Sequence, residues 1–80
     1  MSEKTIDMLK FTEVKIKQLD GVENIIINFF GINNLTPKIV SFLEKIINKY
    51  SNVKFIFMNT KLLSGNQLDI FKSDKVRILE

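Results

Sequence analysis

The groups in this chain that could do acid–base or metal chemistry are nine carboxylates, at Glu3, Asp7, Glu13, Asp20, Glu23, Glu44, Asp69, Asp74 and Glu80. The chain contains no histidine and no cysteine. The commonest general base, the commonest metal ligand and every thiolate reaction are therefore missing together. The carboxylates read as a solvated set rather than as a proton-sharing pair or a metal clasp. A serine or threonine nucleophile would need a lysine as its base. Gly21, Gly31 and Gly65 stand far apart, so no glycine-rich loop cradles a phosphate. The expectation is a protein that is not an enzyme, with no catalytic residue, no metal and no cofactor.

One stretch concentrates polar side chains at a point where an α/β protein commonly binds something. Between Gly31 and Lys38 lie Asn33, Asn34, Thr36, Pro37 and Lys38, after one apolar run and before another. In open α/β sheets ligands gather at the carboxyl ends of parallel strands. A helix N-terminus there also favours an anion. The same residues have plain structural duties: Asn-Asn makes a turn, Thr36 caps a helix, and Pro37 fits its first position. The candidate site is thus Asn33, Asn34, Thr36, Pro37 and Lys38, as a docking point for a partner protein. Lys45 and Lys49, one helical turn apart, extend it along the helix towards an acidic surface.

These residues are positioned by a strand, a helix and a second strand. Asn24 to Phe30 (NIIINFF) and Val53 to Met58 (VKFIFM) are almost continuously apolar, as parallel strands covered on both faces are. Between them, Thr36 to Tyr50 has helical periodicity. Ile39, Val40, Phe42, Leu43, Ile46, Ile47 and Tyr50 share one broad face, against Lys38, Ser41, Glu44, Lys45, Asn48 and Lys49 on the other. Such a unit is expected to be a right-handed βαβ crossover. Asn66 to Lys72 predicts a short second helix, loosened at its start by Ser64 and Gly65, and Val76 to Leu79 a final edge strand. In the first twenty residues, TEVKIKQ alternates with Val14 and Ile16 on one face, which predicts a half-buried strand turning through Asp20-Gly21 into the next. A helix over Thr5 to Leu19 is the rival reading.

The bulk numbers agree with one small domain spanning residues 1–80. A chain this short buries about 60–65% of its unfolded surface. Hydrophobic residues make up 45% and charged residues 26% of it, an ordinary globular balance. No apolar run reaches the ~18 residues of a membrane span, and the N-terminus lacks the apolar core of a signal peptide. The reading is a soluble, cytoplasmic protein that does not engage a membrane. The net charge is +3, but the lysines are scattered and Arg77 is the single arginine. Nucleic-acid binding, which wants clustered basic residues and stacking aromatics, ranks below protein binding.

The stretch from Gly21 to Phe71, GVENIIINFFGINNLTPKIVSFLEKIINKYSNVKFIFMNTKLLSGNQLDIF, resembles the core of a STAS domain, the fold of bacterial anti-sigma-factor antagonists. In that family a hydrophobic strand leads through G-V-x-x-(apolar)-D-S-S-G into an apolar helix. Gly31-Ile32 stands where G-V would, Leu35 where the apolar residue would, and Thr36-Pro37-Lys38-Ile39 where D-S-S-G would. The aspartate is missing, and Pro37 or its neighbour Thr36 falls at the phosphorylated position. The resemblance implies a small, mostly parallel α/β sheet in β-β-α-β-α-β order, acting as a regulatory protein-binding module without the phospho-switch. Two other readings stand beside it. One is a small inhibitor, encoded by a phage or mobile element, of a host protein or nucleic-acid enzyme. The other is direct nucleic-acid binding. Homo-oligomerisation through the edge strand near Val76 to Leu79 is a further expectation.

Overall fold

The computed structural model describes residues 2–63 and 66–79. Among the described residues four strands form one sheet: β1 (Glu3–Asp7), β2 (Asn24–Asn28), β3 (Lys54–Met58) and β4 (Val76–Ile78). One α-helix, α1 (Pro37–Lys49), crosses from β2 to β3. The strands lie in the order β1-β2-β3-β4 and every neighbouring pair is parallel. The α/β class and the parallel core are therefore as expected; the predicted β-β-α-β-α-β order lacks its second α-helix among the described residues, and its first strand lies elsewhere in the chain.

At the N-terminus the strand is Glu3–Asp7, not the TEVKIKQ segment. Residues 8–19 form two stretches of 3₁₀-helix, Met8–Glu13 and Ile16–Leu19. Val14 and Ile16 still pack against the core, so the alternation reflected real burial without a strand. Asp20-Gly21 makes a turn, with Gly21 at φ +79°, but no hairpin follows, because β1 runs parallel to β2. The continuous helix over Thr5 to Leu19 is absent as well. Towards the C-terminus, Asn66 to Lys72 yields only a 3₁₀ turn at Asp69–Phe71. The expected loosening at Ser64 and Gly65 lies outside the described residues.

The sequence explains α1 more fully. Thr36 is extended at φ −74°, ψ 160°, and its hydroxyl accepts the Ile39 N–H at 3.3 Å. Pro37 then opens the helix, where no N–H is needed. Ile39, Leu43, Ile46 and Ile47 are buried. At the far end the Lys75 ammonium donates to the Ile47 carbonyl, placing a cation where the helix dipole is negative.

All three connections pack on one face of the sheet. Phe11 from the first meets Phe42 of α1, with ring centroids 5.3 Å apart. Phe71 from the third meets Phe57 of β3 at 5.9 Å, and Phe57 meets Phe29 at 5.2 Å. Ile25, Ile27, Phe55 and Phe57 point into this layer and are fully buried, with Ile6, Met8, Leu19 and Leu43. Tyr50, just past α1, has its one O–H shared between the Ile16 carbonyl at 2.9 Å and Asp20 Oδ1 at 2.6 Å, so the 3₁₀ segment is tied to the helix. The Asp20 hydrogen bond, with partial burial and the nearby negative charge, pushes the Tyr50 phenol up to about 12.

The other face is bare. Ile26, Ile56 and Met58 alternate with the buried residues, are only half-buried and stand outside the core cluster. The expectation of strands covered on both faces is thereby corrected. When each parallel step moves one strand in the same direction with connections of one hand, every connection lands on the same side.

Candidate functional site at the carboxyl ends of the strands

The ends of β1 and β2 are built alike. Asp7 and Asn28 are register partners at the last positions of their strands. Asp7 Oδ1 accepts the N–H of Leu9, two residues on, at 3.0 Å. Asn28 Oδ1 accepts the N–H of Phe30, also two residues on, at 3.0 Å. Such Asx turns bend the chain sharply off the strand. In both cases the bonded residue carries a large apolar side chain held in solvent: Leu9 is 58% exposed and Phe30 67%.

The end of β3 joins the same arrangement. Asn59 adopts φ +58°, a left-handed conformation that asparagine tolerates better than most residues. Its Nδ2 donates to Asn28 Oδ1 at 2.8 Å, coupling the β3 exit to the β2 exit. Leu62 follows, 61% exposed. Phe30, Gly31, Asn59, Lys61 and Leu62 line an open cleft of about 380 Å³. Gly31, at φ +81°, sits under Leu9: a Cβ there would lie 3.3 Å from Leu9 Cδ1. The three strand ends thus present Leu9, Phe30 and Leu62 around one glycine, with Lys10 and Lys61 adjoining them in the chain.

The sequence-derived site adjoins this patch. Asn33, Asn34 and Lys38 are exposed on the loop leading from Gly31 to α1. Thr36 and Pro37 perform the structural duties described above. Donors at and before this helix start are engaged by the fold itself: Ile39 N–H by Thr36, and Leu35 N–H by Gln67 Oε1 at 3.0 Å. Pro37 has none. Lys45 and Lys49 are exposed on the outer side of α1, with the Lys49 ammonium 5.5 Å from the Tyr50 ring centroid. Asn33, Asn34 and Lys38 follow Gly31 along the chain, while Lys45 and Lys49 lie further along the helix.

Leu9 and Leu62 were not singled out by sequence. For Leu9 the signal is an Asx residue closing a strand with an apolar residue two positions later, visible only once β1 is known to be a strand; Leu62 carries no such signal.

Other chemistry is sparse in the fold. Among the described residues no group of three or more Asp or Glu side chains could hold a metal. The tetrapeptide SNVK, Ser51 to Lys54, has S-x-x-K spacing but straddles a turn and the start of β3, without the helical turn that would bring the two side chains together. Phe29, Phe55, Phe57 and Phe71 are buried, and Phe11 stacks with Phe42, so Phe30 is the phenylalanine exposed to solvent. No helix of the described residues is long and apolar enough to cross a membrane. No protein-family model, no curated protein and no solved structure matches this chain.

Proposed function

We propose that this protein is a non-enzymatic binding module that docks a partner protein through the carboxyl ends of β1, β2 and β3. The observation carrying this reading is the pair of in-register Asx turns that hold Leu9 and Phe30 out in solvent beside Leu62. Large apolar side chains held in water by dedicated hydrogen bonds cost solubility and do nothing for the core. Grouped in a patch, they mark an interaction surface. The partner presents an apolar anchor to the Phe30–Leu62 cleft and carboxylates to Lys10, Lys61 and Lys38. Asn33 and Asn34 supply polar contacts at the rim, where hydrogen bonding fixes orientation. The STAS resemblance of residues 21–71 supports the same role, a regulatory surface at the loop entering the helix, operating without phosphorylation.

The test compares affinity purification from the native host using the unmodified protein, the Phe30→Ser/Leu62→Ser double variant and the Asn34→Ala/Lys38→Glu double variant. The expected outcome is a specific protein retained by the first and lost with Phe30→Ser/Leu62→Ser, with far-UV circular dichroism unchanged. Retention of the same protein by both variants refutes the site.

A further inference from the structure

We propose that the bare face of the sheet is the interface of a two-fold dimer, its occupant a second copy of this chain. The register fixes which side chains share that face. One row is Glu3, Asn24 and Lys54; the next is Thr5, Ile26, Ile56 and Arg77; the third is Asp7, Asn28 and Met58. Leu79 extends the third row, since its N–H bonds the Phe57 carbonyl just past β4, and it is 41% exposed. Across the strands the face therefore runs from acidic at β1, through apolar Ile26, Ile56 and Met58, to basic at Lys54 and Arg77.

A surface graded in this way is complementary to itself in one orientation. A two-fold axis parallel to the strands lays β1 of each copy over β4 of the other, and β2 over β3. Arg77 of the second copy then faces Thr5, between Glu3 and Asp7. Ile26 faces Ile56, reciprocally, as an isologous interface requires. Glu3 faces the edge of an open hollow of about 320 Å³ whose lining includes Asn24, Lys54, Ile56, Asp74 and Arg77; the Lys75 ammonium is held by the Ile47 carbonyl, so Lys54 and Arg77 are the cations left to meet Glu3. An axis perpendicular to the strands would instead set Glu3 against Asp7, like charge on like charge. Packed sheets lie about 10 Å apart and rotate by about 30°, which keeps the central isoleucines in contact and leaves the corners to long side chains.

The face is small. Four strands about 4.8 Å apart and five residues of about 3.3 Å give roughly 19 by 17 Å. That is below the ~800 Å² per partner of a standard stable complex. The dimer is accordingly one of modest affinity, with Kd about 100 μM, strengthened at low salt, where its charges are least screened.

Sedimentation velocity from about 5 μM to about 1 mM at low ionic strength tests it, since a self-association equilibrium shifts with concentration. The expected result is a concentration-dependent dimer. Arg77→Glu and Glu3→Arg each weaken it about tenfold or more, and the double variant returns to within about threefold of the native constant, as coupled charges do in a double-mutant cycle. Both residues are exposed, and circular dichroism verifies that the variants fold. A protein that stays monomeric throughout overturns the proposal. So does a dimer indifferent to Arg77→Glu, which would point to edge pairing along β4, and so does a double variant without rescue.

Discussion

Ile25, Ile26 and Ile27 are chemically identical neighbours in β2, and the singly covered sheet assigns them different energies. Ile25 and Ile27 are 0% exposed and lie in the core, while Ile26 is half-buried on the bare face. Truncating a fully buried isoleucine to alanine costs about 2–5 kcal/mol, the lost transfer energy plus the cavity left behind. At Ile26 no cavity forms, and the partial apolar area forfeited is worth about 1 kcal/mol. A domain of this length has a total stability of about 4–12 kcal/mol. Ile27→Ala should therefore remove a large share of it, with a fall in melting temperature of about 10 °C or more. The assay is urea unfolding by circular dichroism at about 5 μM, well below the proposed dimer constant, so that self-association does not protect Ile26. If Ile25→Ala or Ile27→Ala leaves too little folded protein, the valine variants, at about 0.5–1.5 kcal/mol each, carry the comparison. Ile26→Ala costing as much as Ile27→Ala would mean that both faces are covered, and would refute the one-sided architecture.

Other consequences are more local. Thr36→Ala should cost about 1 kcal/mol by removing the cap on Ile39 N–H, and Thr36→Ser should recover most of it in thermal melts. Gly31→Ala should lower stability by about 1–2 kcal/mol, from a side chain at φ +81° and displacement of Leu9, read in the same melts. Tyr50 is the sole tyrosine and tryptophan is absent, so alkaline absorbance titration reports this phenol alone. It should ionise near 12 in the native protein and fall towards 10 in Asp20→Asn. Because the folded value lies above the unfolded one, the contribution of this contact to stability is complete below pH 10 and lost as pH rises from 10 to 12. Phe30→Ser, at an exposed position, should change stability by less than about 0.5 kcal/mol while abolishing partner capture.

The central βαβ unit could be read from the sequence because its signals are local. Thr36-Pro37 marks a helix start, and Ile39, Leu43, Ile46 and Ile47 repeat at helical spacing. The strand faces could not be read the same way. NIIINFF and KFIFM place apolar residues at consecutive positions, so period-two logic cannot say that Ile26 and Ile56 face outwards while Ile27 and Phe57 face inwards. β1 was hidden for the opposite reason. EKTID offers one buried residue, Ile6, and its strand conformation is imposed by pairing with Asn24–Asn28, far along the chain. Val14 and Ile16 imitated a strand because an irregular segment can also dip alternate side chains into a core. At the site, Asn33, Asn34 and Lys38 stood out as polar loop residues, whereas Leu9 and Leu62 became neighbours of Phe30 only through the sheet order.

The one-sided architecture follows from that order. Covering the second face requires the chain to reverse direction across the sheet, so that later connections fall on the opposite side. Here the strands advance without reversal, and the residues spent on 3₁₀ segments, α1 and the β3–β4 connection all build one layer. The apolar character of Ile26, Ile56 and Met58 then lacks a structural explanation within one copy, since residues facing water in an antiparallel or edge-exposed sheet are ordinarily polar. A second copy supplies the cover without lengthening the chain. Leu9, Phe30 and Leu62 lie beyond the last strand positions that make up that face. The two surfaces are therefore separable by mutation: Arg77→Glu should disturb self-association and spare partner capture, and Phe30→Ser the reverse.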